Sequence, residues 1–522
     1  MSALGLTCLC SIEQRQKCPD YWLVVVVVLN LSEIAMGLQK SSFNDSRKMP
    51  PGPPALPFVS MLPFFSKYLH IELHKLGKKY GSIFQLRVGG KKLVVLNSLE
   101  TVKEALLKQQ DSFNARADFD VFQQPPQRHF LELKSGENWK KHHRIVGKAM
   151  HTFVVSKSDT IESWALEQAE DLANTLLKFG SQPIDPDLYV PLATSNFIQR
   201  LIFNKRGGIE DAKKDPAFTE YAYNLRYIPC VIEGVKLEFV PGLWRLIFKL
   251  SRWKTVPKFL KGLAALEHHV SQNVELHRES FHPEDWRDIT DGLLQASSEL
   301  TESDRNELGL GDNDIVNGSL MQFAGAGGGL PSFILRWGLL YMITHPDIQT
   351  QIQKELDEVV GREQQPRLEH RGKLPLTEAC INEILRHSSL TTMPAINYAT
   401  TADTTLEGYF IPKNTPLVIN YYTLTRDERY WEEPEKFNPY RFLDENGQPR
   451  KDLLDKFYPF GMGERRCIGE YLGRLMVFIF FTNLMHKCKF AKIYGKRLSF
   501  ESPLGGVFST PQDFKVVVKP RF

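Results

Sequence analysis

Cysteine is scarce in this chain of 522 residues, and neither sign of charge dominates it. The seven cysteines are an odd, scattered set, which argues against a disulfide framework and fits a reducing compartment. The 65 basic and 61 acidic side chains leave a net charge of +4, too balanced to indicate nucleic acid as the main partner. No linker rich in proline, glycine or serine divides the chain after residue 60, which favours one large domain.

Long apolar runs are also scarce, and the clearest is the valine-rich stretch 21–38. It is close to the length of about 20 residues that crosses a membrane, although a cleaved signal peptide with its cleavage site at 35–37 is a competing interpretation. The basic residues Lys40, Arg47 and Lys48 favour a retained anchor whose following domain is cytosolic. We therefore expect an N-terminal segment (1–20), a membrane anchor (21–38), a basic and proline-rich hinge (39–56) and one large domain (57–522).

Most of the remaining sequence has helical periodicity, and strands are a minority. The spacing predicts helices at 158–179, 315–345 and 376–390. A strand pattern with a Gly-Gly turn predicts a hairpin over 83–96, and a second β region is predicted at 404–420. The polar composition of the stretch 279–313 predicts a solvated loop. The predicted fold is therefore mainly α with small β-sheets.

The segment that carries the chemistry is 460–469, with the sequence FGMGERRCIG. Cys467 precedes a predicted helix, where free amide groups and the helix dipole stabilise a thiolate. The glycines let the backbone pass close to a flat ligand, and Arg465 adds positive charge. Because no second cysteine or histidine stands at zinc-ligand spacing, a single axial bond from sulfur to haem iron suits the segment better than a tetrahedral metal site.

The segment resembles the signature of the cytochrome P-450 family, Phe-x-x-Gly-x-Arg-x-Cys-x-Gly, matched at Phe460, Gly463, Arg465, Cys467 and Gly469. The resemblance implies a single large haem domain in which haem b is the cofactor and the Cys467 thiolate is the metal ligand. Runs at 376–386 and 399–406 look most like animal microsomal members that oxidise steroids or aromatic hydrocarbons.

The resemblance also assigns the residues around the cofactor. Arg465 and Phe460 of the signature are expected to bind haem, and Trp139 looks like the family's tryptophan at the haem propionates. The family's usual arginine four residues later is replaced by His143, which one helical turn places beside Trp139. Tyr398 is a weaker candidate for the same cluster.

A second resemblance is structural. Glu383 and Arg386 match the family's Glu-x-x-Arg, and their spacing on a helix puts both charges on one face. Arg441 would be the third member of a charge network that braces the fold.

The oxygen-side helix departs from the family pattern at residues 323–331, FAGAGGGLP. Most members carry an acid and a threonine that relay protons during dioxygen activation, but here Gly329 and Leu330 occupy those places and neither can donate a proton. Catalytic residues therefore stay unassigned. The glycines and Pro331 are expected to kink the helix or widen its groove. Protons would then arrive through ordered water or Ser332.

The resemblance implies a monooxygenase of the endoplasmic reticulum membrane, with a cytosolic catalytic domain. It would insert one oxygen atom from dioxygen into a lipophilic substrate, using electrons from an NADPH-dependent flavoprotein reductase. Because of Gly329 and Leu330, two alternatives stay open: a reductase-independent isomerase or dehydratase acting on a peroxide or sterol, and a haem-binding protein with little turnover. The basic residues expected to dock the reductase are Lys140, Lys141, Arg144, Lys148, Lys451, Lys456 and Arg466. The expected substrate-side residues are Phe119, Phe122, Phe323, Ala326, Met393, Ile396 and Phe508.

Overall fold

The structure is a computed structural model that describes residues 47–54, 66, 68–88, 91–119, 126–225, 256–283, 285–394, 397–502 and 507–522. The expected membrane anchor at 21–38 lies outside these residues. Within the described ranges, no helix combines the length and the apolar character needed to cross a bilayer. Part of the proline-rich hinge is described, and its Pro51 carbonyl accepts a hydrogen bond from the Gln85 amide at 2.7 Å.

Helices make up most of the described chain, as the sequence predicts. In chain order they are α1 (Leu69–Tyr80), α2 (Leu99–Lys103), α3 (Gln110–Phe113), α4 (Gly136–Ser156), α5 (Ser158–Leu177), α6 (Val190–Phe203), α7 (Ile209–Lys214), α8 (Pro216–Asn224), α9 (Val256–Glu279), α10 (Ile289–Ser298), α11 (Glu302–Leu308), α12 (Ser319–Thr344), α13 (Pro346–Val359), α14 (Pro375–Ser388), α15 (Tyr421–Leu424), α16 (Lys451–Leu454) and α17 (Glu470–Lys487). The predicted helices at 158–179, 315–345 and 376–390 correspond to α5, α12 and α14 and are confirmed.

The strands form small sheets. They are β1 (Ile83–Val88), β2 (Lys91–Leu96), β3 (Ala115–Arg116), β4 (Tyr398–Ala399), β5 (Thr404–Leu406), β6 (Tyr409–Ile411), β7 (Pro416–Ile419), β8 (Cys488–Lys492) and β9 (Val516–Pro520). The five-stranded sheet has the order β1-β2-β7-β4-β3, and β5-β6 and β8-β9 are separate antiparallel pairs. The predicted hairpin at 83–96 is confirmed as β1 and β2, with Ile83 opposite Leu96. The predicted β region at 404–420 divides between two sheets.

The prediction of a solvated loop at 279–313 is wrong, because α10 and α11 lie within it. Each helix begins at a side-chain cap: Asp288 accepts from the Asp291 amide, and Thr301 accepts from the Asp304 amide. Such caps stabilise short helices. Helices of 10 and 7 residues are too short to show a clear apolar periodicity in the sequence. The apolar side of α10 is buried and packs against α4.

The central helix α12 is buried along most of its length and packs closely against α6. A Cβ atom added at Gly327 would lie 2.9 Å from Ile198 Cδ1, and one at Gly328 would lie 2.9 Å from Ser195 Oγ. The glycines thus permit close helix contact. The helix also continues through Pro331. The prediction of a kink or a widened groove therefore overlooked the close packing of α6 that these glycines permit.

The predicted charge network is present in the core. Glu383 and Arg386 on α14 are fully buried and form a bidentate pair, with N–O distances of 2.7 and 2.8 Å. Arg441 Nε lies 3.2 Å from Glu383 Oε1, which confirms the third member. The Asn438 amide donates to the same carboxylate at 2.8 Å. Two cations and a backbone amide therefore converge on one buried acid.

Candidate functional site

The cysteine segment folds as a closed loop in front of α17. The Cys467 amide donates to the Phe460 carbonyl at 2.9 Å, and this bond closes the loop. Gly461 and Gly463 have φ values of +76° and +72°, which glycine adopts without strain. At Gly463 a Cβ atom would also lie 2.3 Å from the Leu106 carbonyl oxygen. The glycines are therefore required by the shape of the loop itself.

The Cys467 side chain is exposed, although the loop that carries it is closed. Surrounding protein raises the pKa of its thiol, while the Gly469 amide and the Arg466 charge act in the opposite direction. Desolvation by the surrounding protein atoms therefore outweighs the expected stabilisation of a thiolate by the helix terminus. A coordinated metal deprotonates a thiol outright, so the raised pKa of Cys467 is compatible with an iron ligand.

Arg465 is packed between backbone carbonyls and an aromatic ring. Its Nε and Nη2 atoms donate to the carbonyls of Asn114 and Lys134 at 2.9 and 2.8 Å. Its guanidinium lies 3.7 Å from the ring centroid of Trp139 on α4. Nη1 is buried and has no hydrogen-bond partner within the ranges that the structure describes. Burial, followed by the charge of Arg116, lowers the pKa of Arg465 to about 9.

The Trp139 and His143 rings are neighbours, with centroids 5.1 Å apart, as their spacing predicts. Trp139 is buried, which excludes a surface role for it. Burial, with a smaller contribution from Arg465, lowers the pKa of His143. The lowered pKa favours the neutral form of His143, and its role as a substitute for the family's arginine stays a prediction. The remaining predicted residue, Phe460, is half-buried and its ring lies 4.7 Å from the Arg474 guanidinium on α17.

Arg116 also belongs to this cluster, although no sequence motif predicts it. Arg116 stands on β3 opposite Tyr398 on β4, and its guanidinium lies 4.3 Å from the centroid of the tyrosine ring. Its charge acts on Arg465. Strand pairing brings these residues together, so no local motif could have found Arg116. The weaker candidate Tyr398 is placed in the same cluster.

One stripe of α12 is accessible to solvent, whereas most of the helix is buried. Ala326 is exposed, and Gln322 and Leu330, one turn to either side, are half-buried. Ser332 is fully buried, and its hydroxyl donates to the Gly329 carbonyl at 2.6 Å. Because that proton is directed back into the helix, the structure does not support Ser332 as a proton relay.

The expected substrate-side residues divide into described and undescribed sets. Phe119, Met393 and Phe508 are buried in one apolar cluster against which Leu330 packs. Phe323 is partly buried against the main core. Phe122 and Ile396 lie outside the described residues. Contact with a substrate stays a prediction for all of them.

Comparison with known proteins identifies the family of this chain. The Cytochrome P450 family profile matches residues 50–518. The chain belongs to the cytochrome P450 family. It is 39% identical to the "Polybrominated aromatic compounds synthase" of Pseudoalteromonas luteoviolacea, over 88% of this chain and 92% of that protein. It is also 32% identical to "Cytochrome P450 1A5" of Gallus gallus (88% and 87% covered) and 30% identical to "Cytochrome P450 2C44" of Mus musculus (95% and 98% covered).

Cytochrome P450 proteins are oxidoreductases that use haem with a cysteine thiolate as axial ligand. The chemistry of the site fits that cofactor. Cys467 offers an exposed sulfur, and the buried Nη1 of Arg465 can donate to a propionate carboxylate. Arg116 adds a second positive charge beside it. One soft ligand and a separate cationic cluster are what a haem with two carboxylates requires.

Proposed function

We propose that this cytochrome P450 is a monooxygenase that inserts one oxygen atom from dioxygen into a lipophilic substrate of aromatic or steroid type. The observation that carries the proposal is the exposed sulfur of Cys467 beside an Arg465 donor that lacks a partner within the described chain. When bound, haem supplies the electron-transfer and dioxygen chemistry that side chains lack. The aromatic substrate class is supported by the name of the 39% identical bacterial relative.

In this proposal each residue of the site has a distinct task. Cys467 is the iron ligand, and Arg465 holds a propionate through Nη1. Trp139 supports the Arg465 guanidinium from one face, and His143 donates a weaker hydrogen bond. Phe460 packs at the entrance of α17 and holds the loop in place.

Replacing Arg465 with lysine is expected to weaken haem retention. Lysine keeps the charge but cannot donate to two carbonyls and a propionate with one planar fork. We expect haem transfer from Arg465→Lys to excess apomyoglobin to be at least about tenfold faster than from the wild type, a loss of one charge-assisted hydrogen bond. The control is Arg466→Lys, because Arg466 is exposed and pairs with Glu470 at 2.6 Å. Equal transfer rates for both variants would contradict the role of Arg465.

We also propose that a flavoprotein reductase docks on α4. Lys140, Arg144 and Lys148 follow one another at four-residue spacing, and all three side chains reach the surface. A Cβ atom at Gly147 would lie 3.9 Å from Ile468, the residue after Cys467, so α4 passes beside the cysteine loop. A basic surface near the electron acceptor suits an acidic donor protein. The undescribed apolar stretch 21–38 would anchor the protein to the endoplasmic reticulum membrane.

One observation favours a second function. Gly329 and Leu330 replace the acid and threonine, and the Ser332 hydroxyl is directed to the Gly329 carbonyl. These α12 residues therefore offer little for proton delivery, and a preformed peroxide would avoid that need. The second candidate is an isomerase or dehydratase that needs no reductase.

Product formed per NADPH consumed separates the two functions. With reductase and an aromatic substrate found by a spectral binding screen, we expect product but poor coupling in the wild type. Leu330→Thr should raise the coupling several-fold, because a hydroxyl is placed on the open stripe of α12. Leu330→Val is the matched control, since it has the shape of threonine without the hydroxyl.

Other results would change the conclusion. Tight coupling in the wild type, or equal coupling in the threonine and valine variants, would contradict the expected proton-delivery defect. Turnover of an organic hydroperoxide without reductase would favour the isomerase. A haem spectrum with no turnover under either condition would indicate a haem-binding protein.

A further inference from the structure

The segment 127–134 lies between the cationic cluster and the start of α12, and it consists of two short turns. On the side of the cluster, Arg116 Nε donates to the Glu132 carbonyl at 3.1 Å. Arg465 Nη2 donates to the Lys134 carbonyl at 2.8 Å. The backbone of this segment therefore supplies acceptors that orient both arginines of the cluster.

On its other side the segment packs against the residues that lead into α12. A π-helical turn, Asn313–Gly318, directly precedes this helix. A Cβ atom at Gly318 would lie only 2.3 Å from the His129 carbonyl oxygen, so the two backbones are in direct contact. One turn into α12, Gln322 Oε1 accepts from the Leu131 amide at 2.7 Å. Backbone packing and a hydrogen bond thus hold the segment on this side.

Asp314, in the π-helical turn, adds an ionic contact between the same two elements. Its Oδ1 lies 2.6 Å from Lys134 Nζ and 3.2 Å from His129 Nδ1, and its Oδ2 accepts from the Gly311 amide at 2.9 Å. Because His129 Nε2 accepts from Arg128 Nε, Nδ1 carries the ring proton and donates it to Asp314. Burial acts to raise the pKa of Asp314, but the Lys134 and Gly311 hydrogen bonds lower it below its ordinary value. The carboxylate is therefore ionised at neutral pH and bound through both oxygens.

Lys134 connects this carboxylate to the haem side of the site. Its ammonium group binds Asp314, and its carbonyl accepts from Arg465 Nη2. The Asp314 and Lys134 side chains are only 9% and 14% exposed, so water screens their attraction little. Because a guanidinium is planar and rigid, fixing Nη2 also fixes the direction of Nη1. Nη1 is the buried donor of Arg465 that has no partner within the described chain.

We propose that Asp314 is a positioning residue for the haem, and that it acts through Lys134 on the propionate donor of Arg465. The proposal rests on the haem-binding role of Arg465 in the function proposed above. Asp314 itself does not touch the haem in this arrangement. His129 and the Gly311 amide hold its carboxylate in place, so that the lysine carbonyl stays in front of Arg465 Nη2.

Two variants break the ion pair from opposite sides. Asp314→Asn keeps the shape of the side chain and removes its charge. We expect haem transfer from this variant to excess apomyoglobin to be about fivefold faster than from the wild type, because a charge-assisted hydrogen bond is lost. Lys134→Met leaves the backbone carbonyl in place and should give a similar increase. It also tests the pair if Asp314→Asn does not fold.

The matched control is Asp312→Asn, two residues earlier. Asp312 pairs with Arg278 and Arg305 at 3.2 and 3.1 Å and has no printed role in the segment 127–134, so its transfer rate should stay within about twofold of the wild type. A resonance Raman spectrum gives a second measurement, because the propionate bending band responds to hydrogen bonding of the haem carboxylates. The band should shift in Asp314→Asn and Lys134→Met and stay unchanged in Asp312→Asn.

The Arg465→Lys background distinguishes positioning from a general loss of stability. In this background Asp314→Asn should change the transfer rate by less than about twofold, because the planar group through which it acts is absent. An equal factor in both backgrounds would overturn the proposal, as would an unshifted propionate band in both charge variants. Haem content, the carbon-monoxide spectrum and the Arg465→Lys transfer rate are measured first. A failure there would refute the haem-binding role of Arg465, and the proposal with it, before Asp314 is changed.

Discussion

Cys467→Ala is expected to abolish the carbon-monoxide difference band typical of thiolate-ligated haem, and turnover with it. The loss should be complete, because the thiolate is the one soft axial ligand that the loop presents. Since the Cys467 side chain is exposed, removing its sulfur leaves no buried cavity. The variant should therefore keep the helical content of the wild type. Reduced absorption spectra with carbon monoxide, and circular dichroism, measure the two properties.

Cys488→Ala is the matched control, because it also removes one sulfur from a free cysteine but at a buried position on β8. This control should keep the thiolate band, even if its stability falls slightly. A band that persists in Cys467→Ala would exclude Cys467 as the ligand. A band shifted to the position of a nitrogen ligand would show that a histidine has replaced it.

Local features of the fold were predictable from the sequence because their signals are local. The β1-β2 hairpin follows from alternating apolar residues around a glycine pair, and α14 follows from its helical spacing. The meeting of Glu383 and Arg386 depends only on that spacing. The family resemblance predicts Arg441 as the third member, and its contact with Glu383 is confirmed.

Features that depend on tertiary contact could not be predicted in this way. Arg116 enters the cationic cluster because β3 pairs with β4, and the Leu131 amide is bound by Gln322 on α12, which is distant in sequence. The sequence predicts a local distortion at the glycines of α12, whereas Gly327 and Gly328 permit the close approach of α6. In each case the partner that gives the residue its role lies on another element.

Glu383→Gln is expected to destabilise the protein by about 3–5 kcal/mol, the usual cost of leaving a buried charge without its partner. Arg386 is fully buried, so its guanidinium cannot recover the lost interaction from water. Arg441 would lose its contact with the same carboxylate. Chemical unfolding followed by circular dichroism measures the change in the free energy of unfolding.

The control for this prediction is Glu378→Gln on the same helix. Glu378 pairs with Arg371 at 2.9 Å, but both side chains are partly exposed, so its loss should cost less than about 1 kcal/mol. Equal effects of the two variants would contradict the bracing role of Glu383.

A double variant tests whether Glu383 and Arg386 stabilise the protein as a pair. Arg386→Met removes the stranded cation, so Glu383→Gln combined with Arg386→Met should cost less than the sum of the two single changes. Additive costs would mean that the pair does not act as a unit. At temperatures where the single variants remain folded, their carbon-monoxide spectra should match that of the wild type, because these residues contribute stability without contacting the reacting atoms. A weakened carbon-monoxide band in a fully folded Glu383 variant would instead indicate that the charge network affects the cysteine loop.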